Sequence, residues 1–82
     1  MFYVYILQSQ ATQKYYVGST QDVSNRLLEH NQGESPSTRG GRPWEIVHVE
    51  EFQTRSEAVR RERQVKARGI GRYLQSLDKP TT

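Results

Sequence analysis

Two short runs of strand-forming residues near the amino terminus most constrain the fold: "FYVYIL" at residues 2–7 and "KYYVGS" at residues 14–19. Both are rich in β-branched and aromatic side chains, and large residues alternate with a period of two. The intervening "QSQATQ" is polar and typical of a turn. The pair therefore predicts an antiparallel hairpin. We expect one face of this hairpin to pack on the core and the other to present Tyr5 and Tyr16.

The segment after the hairpin predicts a first helix. Asp22 or Ser24 can cap a helix that begins near Val23, because both side chains accept hydrogen bonds from free amide groups of the first turn. Gly33 is a suitable stop, since glycine readily adopts the left-handed conformation that ends helices. The following "GESPSTRGGRP" is typical of a loop.

A third strand and two more helical segments complete the pattern. "WEIVHVEEF" predicts the strand, and Thr54 with Glu57 matches the capping box that opens a helix running to about Arg68. Residues 70–77 carry apolar side chains at helical spacing. The order β-β-α-β-α-α predicts an α+β fold, with a small three-stranded antiparallel sheet flanked by helices.

The 82-residue length allows one domain with a modest core. We assign that domain to residues 1–77 and expect residues 78–82 to form a flexible tail. There is no cysteine, which excludes disulfides and thiolate metal sites. No run of apolar residues is long enough to span a bilayer, so we expect a cytoplasmic protein that does not bind membranes.

Positive charge is concentrated in one segment. Residues 55–72 hold seven basic and two acidic side chains, whereas the rest of the chain holds five basic and seven acidic ones. A focused positive field is expected of a protein that binds phosphate backbones, although a solvated helix face is the alternative. The candidate nucleic-acid-binding residues in this segment are Arg60, Arg61, Arg63, Lys66 and Arg68.

Tyr5 and Tyr16 are candidates for chemistry if their phenols meet across the hairpin. A phenol has a pKa of about 10 and is a poor base at neutral pH unless a cation stabilises the phenolate. Arg26 and His30 lie four residues apart on the first helix and share a face, so they could reach a tyrosine or a phosphate. A solvated helix surface is the alternative for either residue alone.

The second helix carries two glutamates with different expected roles. Glu57 belongs to the capping box, whereas Glu62 lies on the inward stripe of the helix and needs a partner there. That partner could be Mg²⁺, which proteins often hold through one or two carboxylates. An ion pair with Arg26 or a neighbouring residue is the alternative.

Two further features are less specific. Arg39 and Arg42 in the loop "STRGGRPW" predict either a mobile phosphate-binding loop or only a flexible connection. His48 alternates with apolar neighbours on the third strand, which favours a partly buried strand residue over a metal ligand.

These motifs together resemble the GIY-YIG nuclease superfamily, in particular its small stand-alone bacterial members. "VYI" around Tyr5 stands in place of the first signature motif, and "YVG" at residues 16–18 in place of the second. Arg26 and His30 in "NRLLEH" match the helix motif, and Glu62 in "EAVRRE" matches the single metal-binding carboxylate. The similarity covers roughly residues 2–77 in order and spacing.

The resemblance implies hydrolysis of nucleic-acid phosphodiester bonds, with DNA preferred to RNA, in the presence of one Mg²⁺ or Mn²⁺ ion. It gives Tyr5 and Tyr16 the base and orienting roles in either order, and places Glu62 on the metal. Arg26 would stabilise the developing charge, His30 would assist proton transfer or hold the phosphate, and Gly18 would let the backbone approach the site.

Without an attached binding domain, cleavage is expected to be weakly sequence-selective, structure-selective or directed by a partner protein. A catalytically idle nucleic-acid-binding module is the alternative, and a protein-interaction adaptor is a weaker third.

Overall fold

The computed structural model describes residues 1–77, which form a three-stranded antiparallel sheet with helices beside it. The strand order is β2-β1-β3, so the first strand is central. The predicted α+β class and element order are confirmed. The elements are β1 (Phe2–Ser9), β2 (Tyr15–Thr20), α1 (Val23–Asn31), a short 3-10 helix (Arg39–Gly41), β3 (Trp44–Phe52), α2 (Arg55–Arg68) and α3 (Ile70–Leu77).

Helices cover both faces of β1. Val4 and Ile6 point to one face and pack with Ala58 and Val65 of α2 and with apolar residues of α3. Tyr5 and Leu7 point to the other face, where they form a second cluster with Trp44, Val23 and Leu27. Because large side chains alternate along β1, they contribute to two small cores, one on each face of the sheet.

This arrangement corrects the expectation that one face of the hairpin presents both tyrosines. Tyr5 is only 1% exposed, because α1 packs over its face of the sheet. Tyr16 lies on the same face nearer the edge and stays partly exposed. Period-two alternation identifies the two faces of a strand, but it does not show whether a later helix covers the second face.

The predicted caps are present. The Asp22 carboxylate accepts a hydrogen bond from the Asn25 amide at 3.0 Å, which selects Asp22 over Ser24 as the cap of α1. Thr54 accepts from the Glu57 amide at 3.2 Å at the start of α2, as the capping box predicts. Gly33 lies two residues beyond the last residue of α1 and has a φ of +79°, which glycine adopts without steric cost.

A polar network fixes α3 against α2 and β3. Glu50 of β3 accepts hydrogen bonds from the Tyr73 hydroxyl and from the Arg61 guanidinium, the latter at 2.9 Å. His48 lies 2.7 Å from the same carboxylate and is partly buried, as the sequence predicted. No helix within residues 1–77 is long and apolar enough to cross a membrane. The predicted tail at residues 78–82 lies outside the described residues.

Candidate active site

Tyr5 reaches the edge of the sheet by passing over Gly18. The two residues are cross-strand partners, and a Cβ atom at Gly18 would lie 2.6 Å from the Tyr5 hydroxyl oxygen and 2.8 Å from the ring carbon that bears it. Any side chain at position 18 would therefore displace the phenol. The close approach expected at Gly18 occurs, and what approaches the glycine backbone is the Tyr5 ring.

The Tyr5 hydroxyl begins a buried chain of hydrogen bonds. It lies 3.1 Å from Nε2 of His30, whose Nδ1 lies 2.7 Å from the Thr38 hydroxyl. The Thr38 hydroxyl also lies 3.3 Å from the Ser35 carbonyl oxygen. Because that carbonyl can only accept, Thr38 donates to it and accepts from Nδ1–H of His30. His30 Nε2 then carries no proton and accepts the proton of Tyr5.

Burial and charge set the protonation of this pair. Burial raises the pKa of Tyr5 above its usual value, while the nearby Arg26 guanidinium acts in the opposite direction. Burial also lowers the pKa of His30, and the positive charge of Arg26 lowers it further. At neutral pH Tyr5 is therefore a phenol and His30 a neutral imidazole, as their hydrogen bond requires.

Arg26 is one turn before His30 on α1, so both side chains project towards the tyrosines. Its interaction with the Tyr5 hydroxyl raises the pKa of the guanidinium, which stays charged at any physiological pH. The Glu29 carboxylate lies 3.0 Å from the same guanidinium and holds it in place. Glu29 was not a predicted site residue, although its i, i+3 spacing from Arg26 is visible in the sequence.

Tyr16 forms the outer wall of the cluster. Its ring centroid is 4.8 Å from that of His30, 6.2 Å from that of Tyr5 and 6.5 Å from that of Trp44. Unlike Tyr5 it is partly exposed, so it can contact a molecule arriving from solvent. The structure thus brings together Tyr5, Tyr16, Arg26 and His30 in one cluster.

Glu62 borders this cluster from α2. Its negative charge contributes to the raised pKa of Tyr5, and its side chain is 20% exposed. The Lys66 ammonium lies 2.9 Å from the carboxylate, so the ion-pair alternative is realised with a neighbour on the same helix and not with Arg26.

The residues at the site offer a divalent cation one carboxylate ligand, which is the smallest set of protein donors that can hold such an ion. Within residues 1–77 no three His, Cys, Asp or Glu side chains are grouped to hold a metal. A partly exposed single carboxylate suits an ion that keeps most of its water and takes further oxygens from a bound phosphate, as Mg²⁺ commonly does. Glu62 is the carboxylate of α2 that borders the cluster.

The predicted nucleic-acid-binding residues lie in different environments. Arg61 belongs to the Glu50–Tyr73 network and also packs over Phe52, whereas Lys66 is held by Glu62. The loop arginines are exposed, and each uses its Nε to bond a backbone carbonyl, that of Gly33 or that of Arg39. The exposed members are Arg39, Arg42, Arg60, Arg63, Lys66 and Arg68.

Comparison with known proteins identifies the family. The model of the GIY-YIG catalytic domain matches residues 1–69, a range that holds all the clustered side chains and Glu62. The chain belongs to the GIY-YIG family. Its resemblance to that superfamily is thereby confirmed.

The most informative relatives of this GIY-YIG chain are small proteins of similar length. A UPF0213 protein of Haloquadratum walsbyi is 46% identical over 66 residues, which is 79% of this chain and 73% of the relative. One from Natronomonas pharaonis is 44% identical over 79% of this chain and 76% of its own length. The solution NMR structure of a UPF0213 protein from Bacillus halodurans is 35% identical and superposes with a TM-score of 0.58, covering 95% of this chain and 86% of that one.

Thr38 is the residue of the cluster that sequence reasoning missed. It lies in the loop between α1 and β3, where threonine is common and no periodic pattern exists. Its hydroxyl fixes the tautomer of His30 and its backbone carbonyl accepts from the Trp44 indole at 2.7 Å. Nothing in the local sequence distinguishes Thr38 from the neighbouring Ser35 and Ser37.

Proposed function

We propose that this GIY-YIG domain hydrolyses phosphodiester bonds of nucleic acid, preferably DNA, in a reaction that depends on one Mg²⁺ or Mn²⁺ ion. The hydrogen-bonded Tyr5–His30 pair, with Arg26 against the phenol, carries the proposal. A proton acceptor, a fixed cation and a nearby carboxylate are the groups that in-line attack of water on phosphorus requires.

The Tyr5–His30 geometry favours Tyr5 as the residue that receives the proton of the attacking water. As the water O–H bond breaks, the Tyr5 oxygen takes that proton and passes its own proton to Nε2 of His30. A phosphorus–oxygen bond forms to the water oxygen, and the bond to the leaving oxygen breaks. The leaving oxygen then takes a proton from solvent. Because His30 donates from Nδ1 to Thr38, its free nitrogen faces the phenol and is ready for this transfer.

Arg26 binds the scissile phosphate and stabilises the charge that develops on its non-bridging oxygens. The planar guanidinium suits this role because it offers paired donors and does not lose its proton. Glu29 restrains the guanidinium from the side, which reduces the entropy lost when phosphate binds. Tyr16, at the outer wall, orients the substrate through its hydroxyl.

Glu62 would hold the divalent ion together with waters and substrate oxygens. When bound, such an ion supplies Lewis acidity at the phosphate and lowers the pKa of a coordinated water. The Lys66 ammonium must leave Glu62 for this to happen, after which it is free to contact the substrate backbone.

Exposed arginines of α2 and of the loop before β3 supply sequence-independent contacts to phosphates. Such contacts position a strand without reading bases, so the cleavage we propose has low intrinsic sequence specificity. A partner protein would be needed to direct it to particular sites. The cytoplasm, where nucleic acid and Mg²⁺ are both available, is the compartment we propose.

Cleavage of labelled duplex, branched and single-stranded DNA with Mg²⁺ or Mn²⁺ tests the proposal. Glu62→Gln should abolish metal-dependent cleavage while retaining the fold. Glu51→Gln is the matched control, because it makes the same change at an exposed carboxylate on β3, at the edge of the sheet opposite β2. Absence of cleavage by the wild-type protein on every substrate with either ion would refute the nuclease.

An idle nucleic-acid-binding module is the second candidate, and the Lys66–Glu62 ion pair favours it. A carboxylate already neutralised by an ammonium at 2.9 Å is a weaker attraction for a cation. In that case the wild type and Glu62→Gln would bind DNA equally, with steep dependence on salt, and neither would cleave it.

A further inference from the structure

A cleft opens beside Tyr16 on the side away from Tyr5. It has a volume of about 290 Å³ and lies between the start of β2 and the loop that contains the 3-10 helix. Tyr16 and Trp44 provide its aromatic surface, Thr38 lies at its base, and Gly40 lines its rim. Tyr16 takes part in the reaction proposed above, but that proposal assigns no part of the substrate to the cleft.

The lining indicates what the cleft can hold. Among the described residues that form it, Lys14 is the one charged side chain, and the others are aromatic, hydroxyl-bearing or glycine. Aromatic rings stack on planar heterocycles, hydroxyl groups hydrogen-bond to ring edges, and a lysine at the rim suits a phosphate. The cleft volume is at the lower limit of the roughly 300–1,000 Å³ usual for ligand pockets and is sufficient for one base.

We propose that this cleft is a subsite for one unpaired nucleobase of the strand whose phosphate lies at Arg26. The inference rests on the nucleic-acid function proposed above and adds the class of substrate, a strand with at least one base free to leave the stack. A base held in a duplex cannot enter without being unstacked and unpaired, which costs a few kcal/mol. Single strands, ends and distorted duplexes are therefore favoured.

The position of the cleft supports this role. Its wall Tyr16 lies 4.8 Å, centroid to centroid, from His30, and its base Thr38 is hydrogen-bonded to the same histidine. A base in the cleft would therefore stand beside the groups proposed to act on its own or the adjacent phosphate. Two exposed arginines, Arg39 and Arg42, are sequence neighbours of residues that line the cleft. Their positive charge favours binding of a nucleic-acid backbone.

The test is a binding measurement without metal, so that cleavage does not interfere. The chain contains a single tryptophan, Trp44, and stacking in the cleft should change its fluorescence. We would compare a short oligothymidylate with an abasic oligomer of equal length and charge. One stacked base should make the thymidylate bind at least about fivefold more tightly at equal salt.

Gly40→Leu places a bulky side chain at the rim of the cleft, where it should hinder entry of a base. A Cβ atom at Gly40 meets nothing within 4 Å, so we expect the fold to accommodate the substitution. Gln53→Leu is the matched control, because it adds leucine at an exposed position next to Phe52, at the end of the sheet opposite Trp44. Gly40→Leu should bind both oligomers with the affinity that the wild type shows for the abasic one, and Gln53→Leu should behave as the wild type.

Three results would count against the subsite. Equal wild-type affinity for the two oligomers would overturn the subsite and leave the nuclease proposal intact. A preference for thymidylate that persists in Gly40→Leu would have the same consequence. Failure of the wild type to bind either oligomer at low salt would also overturn the subsite, whereas the nuclease proposal is refuted only by the absence of cleavage in the DNA assay. If the thermal stability of Gly40→Leu equals that of the wild type, any loss of oligomer binding comes from the cleft and not from unfolding.

Discussion

At the scale of single residues, Gly18 has the sharpest structural requirement. Gly18→Ala would place a Cβ atom 2.6 Å from the Tyr5 hydroxyl oxygen, so the buried ring must shift and its bond to His30 is lost. We expect destabilisation of about 1–3 kcal/mol and loss of any cleavage activity, measured by urea unfolding and by the DNA assay. Gly40→Ala, whose Cβ meets open space, should stay within about 0.5 kcal/mol; equal stability of the two variants would contradict the packing argument.

Thr38 acts on the site through His30 and is a positioning residue. Thr38→Val keeps the side-chain shape but leaves the buried Nδ1–H of His30 without its acceptor, at a cost of about 1–3 kcal/mol. We expect slower cleavage and a shifted ¹⁵N spectrum of the imidazole as the tautomer changes. Thr38→Ser, which retains the hydroxyl, should restore both; an unaltered ¹⁵N spectrum in Thr38→Val would refute the tautomer assignment.

His30 also makes stability depend on pH. Its pKa in the folded protein is lowered from 6.5 by burial and by Arg26. At a pH between the folded and the unfolded pKa, the unfolded chain therefore binds more protons than the folded one. The stabilisation is therefore complete above about pH 6.5 and is lost as pH falls towards the folded pKa. Urea midpoints measured from pH 8 to pH 5.5 should decline, and His30→Asn should flatten the decline. A wild-type curve that is flat over this interval would show that His30 titrates normally.

At the scale of elements, most of the architecture could be predicted from the sequence. Tyrosine-rich runs around a polar turn predicted the hairpin, and Thr54 with Glu57 predicted the start of α2. Local patterns sufficed because caps and turns involve residues close in the chain. Burial of Tyr5 and the contact of His30 with Thr38 could not be predicted, because both depend on how α1 and the following loop fold back onto the sheet.

A polar network adds to the apolar packing that attaches α3 to the core. Tyr73 donates to Glu50, and Arg61 bonds both residues. Burial alone would raise the pKa of Glu50, but the bonds from Tyr73 and His48 and the charge of Arg61 outweigh it, so the net shift is downward. Tyr73→Phe should therefore lower the free energy of unfolding by about 1–3 kcal/mol. The stability that Glu50 contributes should be lost as pH falls below about 4.5. Tyr15→Phe, at an exposed tyrosine, is the control and should change stability by less than about 0.5 kcal/mol.

At the scale of the whole molecule, the arginines of the basic segment, residues 55–72, lie in two environments that mutagenesis can compare. Arg61 is partly exposed and lies against β3, where its guanidinium bonds Glu50 and packs over the ring of Phe52. Arg63, two residues later on the same helix, is exposed. Charge counted along a sequence does not distinguish such residues, because a helix turns successive side chains to different faces.

The two arginines should respond oppositely to the same substitution. Arg63→Gln should leave unfolding unchanged and reduce the slope of log affinity against log salt by about 1, as expected for one lost phosphate contact. Arg61→Gln should lower stability, because it leaves Glu50 short of a partner, and should keep the wild-type slope. Fluorescence titrations of a duplex DNA at several salt concentrations, paired with urea unfolding, measure both quantities. If Arg61→Gln reduced the salt slope as much as Arg63→Gln, the network at Glu50 would have to open when DNA binds, and α3 would move with it.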